Sequence, residues 1–141
     1  MWEPLANLIK GIGRIMKKRI LCVDDQKEIL DLLSDYLGSL GFEVITAKNG
    51  DEGMKKALEV RPDLIFLDIM MPIKNGYAAL RELKANEKLW DTPVIMLSVQ
   101  SDMREMCQLE GADDFLSKGF RLKEVAHAVK KILQEKSTMM H

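Results

Sequence analysis

Short, continuous apolar runs recur along the chain, separated by segments in which apolar residues have helical spacing. Residues 20–23, 64–67 and 94–97 form three such runs, and weaker strand patterns cover residues 42–47 and 115–117. A run that is apolar throughout, rather than at every second position, predicts a strand covered on both faces. Five buried strands are therefore expected.

The segments between the strands carry apolar residues three and four positions apart, which predicts amphipathic helices. The first predicted helix ends at Gly41, a typical C-terminal stop, and the second ends before Pro62. The third passes through Leu80 and Leu83, the fourth covers about residues 102–110, and the last covers about residues 122–133. Five strand–helix repeats with right-handed crossovers predict an α/β fold, a doubly wound (βα)5 parallel sheet. The expected strand order is 2-1-3-4-5, which is flavodoxin-like.

Polar residues stand where four of the five predicted strands end. Asp24 and Asp25 follow the first strand, Asp68 the third, Ser98 the fourth and Lys118 the fifth. In a doubly wound parallel sheet, ligands bind beyond the carboxyl ends of the strands. These side chains are therefore expected to meet in one site.

The chemistry of this set favours a metal ion and a phosphoryl group. Clustered carboxylates repel one another unless a cation intervenes, and a few carboxylates with retained water are the ligands that Mg²⁺ prefers. Lys118 and Ser98 offer a positive charge and a hydroxyl donor to phosphoryl oxygens. Asp68, on the central strand, is the best candidate to attack phosphorus and form an acyl phosphate.

Each residue alone also has an ordinary structural explanation. Asp25 could cap the helix that starts near Gln26, Ser98 could end a strand, and Lys118 could be a solvated surface lysine. The joint occurrence at four strand ends, in this order, favours a shared site.

Composition narrows the function class. The 141 residues carry a formal net charge of -1, with about +4 on residues 1–19 and -5 on the rest. This balance argues against direct nucleic-acid binding through a broad basic surface. No apolar run reaches the ~20 residues needed to span a bilayer. Cys22 and Cys107 are too few for a disulfide framework, so reduced packing thiols and a cytoplasmic location are expected.

From about Lys17 to Gln134 the sequence resembles the receiver domain of two-component response regulators, as a stand-alone type. Four blocks carry the resemblance, in order: Asp24-Asp25 after an apolar strand; residues 64–72 (LIFLDIMMP) followed by Asn75-Gly76; residues 94–98 (VIMLS); and residues 111–118 (GADDFLSK). The order and spacing of the four blocks together are highly specific.

The resemblance implies a phosphoacceptor and a magnesium site. Asp68 matches the residue that takes a phosphoryl group from a histidine kinase or a phosphotransfer protein. Asp25 matches the direct Mg²⁺ ligand, Asp24 binds largely through water, and Asp68 and the Met70 backbone carbonyl complete the ligand set.

The resemblance also implies a switch. Lys118 pairs with the phosphoryl group, to which the backbone of Met70 and Val99 also contributes. Ser98 is the hydroxyl that moves toward it, and the inward rotation of Phe115 follows. Output is then a change of partner binding at the face made by the fourth helix, fifth strand and fifth helix. Met103 and Met106 on that face suit either adaptable contacts or a packing role.

Two residues depart from the family pattern. Lys118 is followed by Gly119 where the family has a cis proline, so a looser loop with a trans bond is expected, because a cis bond to a non-proline residue costs about 2.5–4 kcal/mol. Val99 stands where a small residue is usual and is expected to slow access to the phosphoryl group. Weakened but measurable phosphorylation is therefore predicted.

The predicted organisation has three parts: a basic amphipathic lead or upstream extension (residues 1–16), the receiver domain (17–136) and a short tail (137–141). Membrane contact through residues 1–16 is an alternative that is not favoured, since Gly11 and Gly13 interrupt the helical pattern. No output domain fits after residue 134, so the chain is expected to be a stand-alone receiver or a receiver fragment of a larger protein. An unidentified downstream protein is the expected partner. A phosphorylation-dependent homodimer stays open.

Two rival functions remain. An aspartate-nucleophile phosphatase usually carries a second acid two residues after the nucleophile, and Met70 stands there. A pseudo-receiver would be a binding module that is not phosphorylated, which the set of Asp25, Asp68, Ser98 and Lys118 disfavours.

Overall fold

The computed structural model describes residues 18–71, 74–99 and 103–139, together with Asn7. Its strands are β1 (Arg19–Val23), β2 (Glu43–Ala47), β3 (Leu64–Asp68), β4 (Val94–Ser98) and β5 (Asp114–Ser117). Its helices in the same residues, apart from the isolated Asn7, are α1 (Lys27–Ser39), α2 (Gly50–Val60), α3 (Gly76–Ala85), α4 (Arg104–Leu109) and α5 (Leu122–Met139).

The strands form one parallel sheet in the order β2-β1-β3-β4-β5, which confirms the predicted fold class and strand order. Strands β3 and β4 are buried along their whole length, as their continuous apolar runs predict. Since all strands are parallel, their carboxyl ends lie at one edge of the sheet.

Helices cover both faces of the sheet. One apolar cluster joins alternate strand residues such as Phe66 to α1 and α5 through Leu33 and Val129. The other joins the intervening strand residues to α2, α3 and α4, where Leu80 and Cys107 are fully buried. Burial on both faces fixes the register of each strand, and with it the residue that emerges at the carboxyl edge.

The ends of α1 to α4 agree with the sequence-based prediction to within a few residues, whereas α5 continues to Met139, beyond the predicted end near residue 133. Gly41 and Gly111 both have a φ of 99°, the left-handed conformation that glycine adopts without a Cβ penalty, and each follows the end of a helix. The fourth helix is shorter than predicted: it ends at Leu109 and Glu110 already belongs to the turn. Asp102, its predicted start, lies outside the described residues.

Most of the residues at the two chain ends lie outside the described part of the structure. Residues 1–16 lie outside the described residues except for Asn7, and so do the last two residues of the predicted tail. Helix α5 continues to Met139, so it extends past the predicted boundary at residue 136. Among the described residues, no helix is long and apolar enough to cross a membrane.

Candidate functional site

Three acidic side chains meet at the carboxyl edge of the sheet. One carboxylate oxygen from each of Asp24, Asp25 and Asp68 lies within 4.8 Å of the others. Strands β1 and β3 are paired with Val23 opposite Leu67, so the next residue of each strand emerges at the same level. Asp24 and Asp68 are buried, at 0% and 1% exposure, whereas Asp25 is exposed.

Lys118 reaches this cluster from the end of β5. Its Nζ lies 3.0 Å from Oδ2 of Asp24 and 3.2 Å from Oδ1 of Asp68, and its side chain is only 9% exposed. The backbone N–H of Lys118 donates to the carbonyl of Ser98 at 2.7 Å, which continues the β4–β5 pairing. The alternative of a solvated surface lysine is therefore wrong.

Burial dominates the electrostatics of the two inner carboxyl groups. Desolvation, followed by repulsion from Asp24, raises the pKa of Asp68 from 3.8 to about 7, although Lys118 opposes the shift. Desolvation likewise raises the pKa of Asp24, against a backbone hydrogen bond from Gln26 and the charge of Lys118. One lysine thus faces two buried acids, and the inner site is short of positive charge.

The donor set fits a hard divalent cation. Oδ2 of Asp68 is buried and accepts no hydrogen bond from any described residue, while Asp25 lines an open pocket beside it. Three carboxylates with access to water match the oxygen ligation that Mg²⁺ prefers. Met70 lines the same pocket, and its backbone N–H donates to Oδ1 of Asp68 at 3.3 Å.

The remaining predicted site residues lie around this pocket. Ser98 is 1% exposed at the end of β4, the strand paired with β3. Val99 is 70% exposed and lines the pocket mouth with Lys118. Phe115 is 1% exposed on β5, already in a buried position.

The start of α3 packs closely against the end of β3 and the residue after it. Asn75 is the N-cap, and its side chain accepts from the backbone N–H of Ala78 at 3.0 Å. The N–H of Gly76 donates to the Ile69 carbonyl at 2.8 Å. A Cβ at Gly76 would lie 2.2 Å from the carbonyl oxygen of Asp68, so only glycine permits this approach.

The loop after Lys118 has the trans bond expected at Lys118–Gly119, since the described residues contain no cis peptide bond. A Cβ at Gly119 would meet no heavy atom within 4 Å. The backbone at this glycine is thus less closely packed than at Gly76.

The structure adds two residues that the sequence analysis did not place in the site. The side-chain oxygen of Gln26 accepts a hydrogen bond from Nζ of Lys118, and Gln26 lines the pocket. The guanidinium of Arg104 lies over the ring of Phe115, 5.1 Å from its centroid. The signal for Gln26 was its position directly after the acid pair; nothing in the sequence pattern singled out Arg104.

The cap role considered for Asp25 is not found. Gln26 is the N-cap of α1, and its side chain makes no capping hydrogen bond. Asp24, not Asp25, accepts the backbone N–H of Gln26, at 2.9 Å. The exposed carboxylate of Asp25 is therefore directed to the pocket rather than to the helix terminus.

The sequence matches the family model described as the response regulator receiver domain over residues 20–130. This chain belongs to that family. It is 40% identical over 121 residues to the alkaline phosphatase synthesis transcriptional regulatory protein PhoP of Bacillus subtilis, covering 84% of this chain and 50% of PhoP. The chain spans about half the length of the curated relatives it matches, so receiver-domain similarity is what these relatives share with it.

Solved structures of response regulators are similar to this chain in fold. The response regulator TrrA of Thermotoga maritima, crystallised in complex with Mg²⁺-BeF, is 37% identical with a TM-score of 0.75, and the match covers 82% of this chain and 98% of TrrA. The chemotaxis response regulator CheY4 of Vibrio cholerae is 27% identical with a TM-score of 0.77, over 82% and 98% of the two chains. The receiver fold is thus shown by both sequence and structure.

Proposed function

We propose that this receiver domain accepts a phosphoryl group on Asp68 from a histidine kinase or a phosphotransfer protein, with Mg²⁺ bound beside it. One observation carries the proposal: the buried Asp68 carboxylate lies 3.2 Å from Lys118 and within 4.8 Å of two further carboxylates. The similar TrrA was crystallised with Mg²⁺ and beryllium fluoride. That pairing supports the same combination of metal and phosphoryl group here.

The residues that would hold the metal are Asp24, Asp25 and Asp68, together with the backbone carbonyl of Met70. When bound, Mg²⁺ offsets the negative charge of the carboxylates and of the phosphoryl oxygens. Asp25, which is exposed to the pocket, is suited to bind the ion directly. Asp24 already accepts hydrogen bonds from Gln26 and Lys118, and is suited to bind it through water.

In the proposed transfer, a carboxylate oxygen of Asp68 attacks the phosphorus of a phosphohistidine. The new O–P bond forms as the P–N bond breaks, and the imidazole leaves with the electron pair and takes a proton from solvent. Lys118 stabilises the charge on the phosphoryl oxygens, as do the hydroxyl of Ser98 and the backbone N–H groups of Met70 and Val99.

The signal would leave the site through β4 and β5. Ser98 and Phe115 lie on these neighbouring strands, and Met96 is the partner of Phe115 in their register. On the adjoining helix α4, Met106 and Leu109 are 48% and 79% exposed, which suits binding of a downstream protein. Phosphorylation would bias two states of this α4–β5–α5 face.

The decisive experiment is phosphorylation by a small-molecule phosphodonor such as acetyl phosphate, followed by intact mass spectrometry. With Mg²⁺ the wild type is expected to gain one phosphoryl group, more slowly than it would with a small residue at position 99, because the side chain of Val99 lines the pocket. Without Mg²⁺, and in Asp68→Asn, no gain is expected.

The same experiment separates the rival functions. Continuous release of phosphate without a stable adduct would indicate a phosphatase. A wild type that labels no faster than Asp68→Asn would indicate a pseudo-receiver and would contradict the proposal.

A further inference from the structure

Gln26 contacts Lys118, and the phosphoryl transfer proposed above assigns no role to this contact. Its side-chain oxygen accepts a hydrogen bond from Nζ of Lys118, although Gln26 lies at the N-cap of α1 and Lys118 follows β5. Gln26 lines the pocket together with Asp68 and Val99. The two side chains are 92 positions apart in the sequence and meet in the pocket, so we considered what their contact does for the site.

The ammonium group of Lys118 has three N–H donors, and oxygens from three side chains surround it. Two of these side chains are the carboxylates of Asp24 and Asp68, and the third is the amide of Gln26, whose oxygen accepts. The charge on the two carboxylates changes when a cation binds or when Asp68 is phosphorylated. The amide oxygen is neutral, so its attraction for the ammonium group is independent of both events.

Gln26 is itself held in place. Its backbone N–H donates to Oδ1 of Asp24 at 2.9 Å, and Nζ of Lys118 lies 3.2 Å from the same oxygen. Asp24, Gln26 and Lys118 therefore form a closed set of hydrogen bonds around the ammonium group. Such a set restricts the rotamers that a lysine side chain would otherwise sample.

The backbone that follows Lys118 does little to restrict the conformation of the lysine side chain. A Cβ at Gly119 would have no neighbour within 4 Å, and the residue is exposed. The hydrogen bond from the backbone N–H of Lys118 to the carbonyl of Ser98 fixes the position of the Lys118 backbone, but not that of its ammonium group. The position of Nζ thus depends on the side chains that face it.

We propose that Gln26 is a positioning residue for Lys118: its amide oxygen holds the ammonium group over the pocket while the phosphoryl group is transferred to Asp68. This inference rests on the proposed function, because it assigns Gln26 a part in the same transfer.

The test is a double-mutant cycle on the full chain. Gln26→Met removes the oxygen acceptor at nearly constant size, and Gln108→Met makes the same change at an exposed position of α4. With saturating Mg²⁺, Gln26→Met is expected to slow phosphorylation by acetyl phosphate about three- to tenfold, the effect of one lost hydrogen bond. In a Lys118→Met background the same change is expected to have no further effect. Gln108→Met is expected to match the wild type.

An equal loss in both backgrounds, or no loss in the wild-type background, would overturn the role of Gln26. A second readout does not depend on phosphorylation: the NMR order parameter of the Lys118 Cε group, measured without phosphodonor. It is expected to fall in Gln26→Met and to stay unchanged in Gln108→Met, and an unchanged value in both variants would overturn the inference. If the wild type took no phosphoryl group while this order parameter fell, the proposed function would fail and the contact would stand.

Discussion

At the scale of single residues, the site is a balance between two buried carboxylates and one lysine. Asp24 and Asp68 are almost fully buried, and Lys118 touches both. Burial of an acid favours its neutral form, so the folded protein binds a proton at Asp68 more readily than the unfolded chain does. The fold therefore holds these acids in their charged form at a cost in stability whenever no metal ion accompanies them.

This cost predicts how stability depends on pH in the absence of metal. A group whose pKa is raised from 3.8 to about 7 stabilises the fold fully below its unfolded value, and that contribution is lost as pH rises toward 7. Between about pH 4 and 7, the free energy of unfolding of the wild type should fall relative to that of Asp68→Asn. Urea unfolding in a chelator at several pH values measures this difference, in which the titrating groups remote from Asp68 largely cancel. A difference that is constant or rises with pH would contradict the account.

The sequence could place the acids but not their contacts. Asp24, Asp68 and Lys118 follow apolar strands, and a parallel sheet brings such residues to one edge whatever the side-chain details. The hydrogen bond that the side chain of Lys118 donates to Gln26 depends instead on the direction of α1 and on the conformations of two flexible side chains. No periodicity in the sequence encodes that geometry.

At the scale of elements, the position of Asp68 depends on how closely α3 starts beside it. Gly76 begins the helix, and its N–H bonds to the carbonyl of Ile69. Even one added carbon there would meet the backbone of Asp68 and Ile69. The start of α3 thus lies directly against the end of β3, at a glycine that has no room for a side chain.

A pair of glycine substitutions tests this close approach. Gly76→Ala should destabilise the protein by about 1–3 kcal/mol, the usual cost of overpacking, because the added Cβ must displace backbone. Gly38→Ala, in α1, has nothing within 4 Å and should stabilise the protein by about 0.5–1 kcal/mol through helix propensity. Urea unfolding of both variants measures the contrast, and a Gly76→Ala variant as stable as the wild type would rule out the packing argument.

Element prediction worked best where burial is complete. The continuous apolar runs of β3 and β4 could be read directly, since both faces are covered. The short helix α4 was predicted too long at its end, because its polar sequence marks the glycine turn but not the residue before it. In the sequence, nothing except the glycine itself indicates the close packing at Gly76.

At the scale of the whole molecule, the fold gathers residues that follow four strands into one acidic site. The order β2-β1-β3-β4-β5 places Asp68 in the middle, between the acids after β1 and the groups after β4 and β5. The fold class and strand order followed from five strand–helix repeats. What the sequence could not supply is how far the apolar residues of α4 are exposed, since the exposure of Met106 and Leu109 depends on how this helix packs.

A cation that binds only the folded site should stabilise the whole domain. At a Mg²⁺ concentration 100 times the dissociation constant, the expected gain in the free energy of unfolding is about 2.7 kcal/mol. Asp25→Asn, which removes an exposed member of the carboxylate cluster, should lose most of this gain. Asp31→Asn, an exposed acid of α1 paired with Lys27, should keep it. Equal stabilisation of both variants would indicate nonspecific binding.

The central claim is that Asp68 becomes an acyl phosphate, and locating the modified residue tests it most directly. The wild type is incubated with acetyl phosphate and Mg²⁺, and borohydride then reduces any acyl phosphate to the alcohol. Peptide mass spectrometry is expected to find homoserine at position 68 in the sample with Mg²⁺, and aspartate there when Mg²⁺ is omitted. Aspartate at position 68 in both samples, or homoserine at Asp24 or Asp25 instead, would contradict the account.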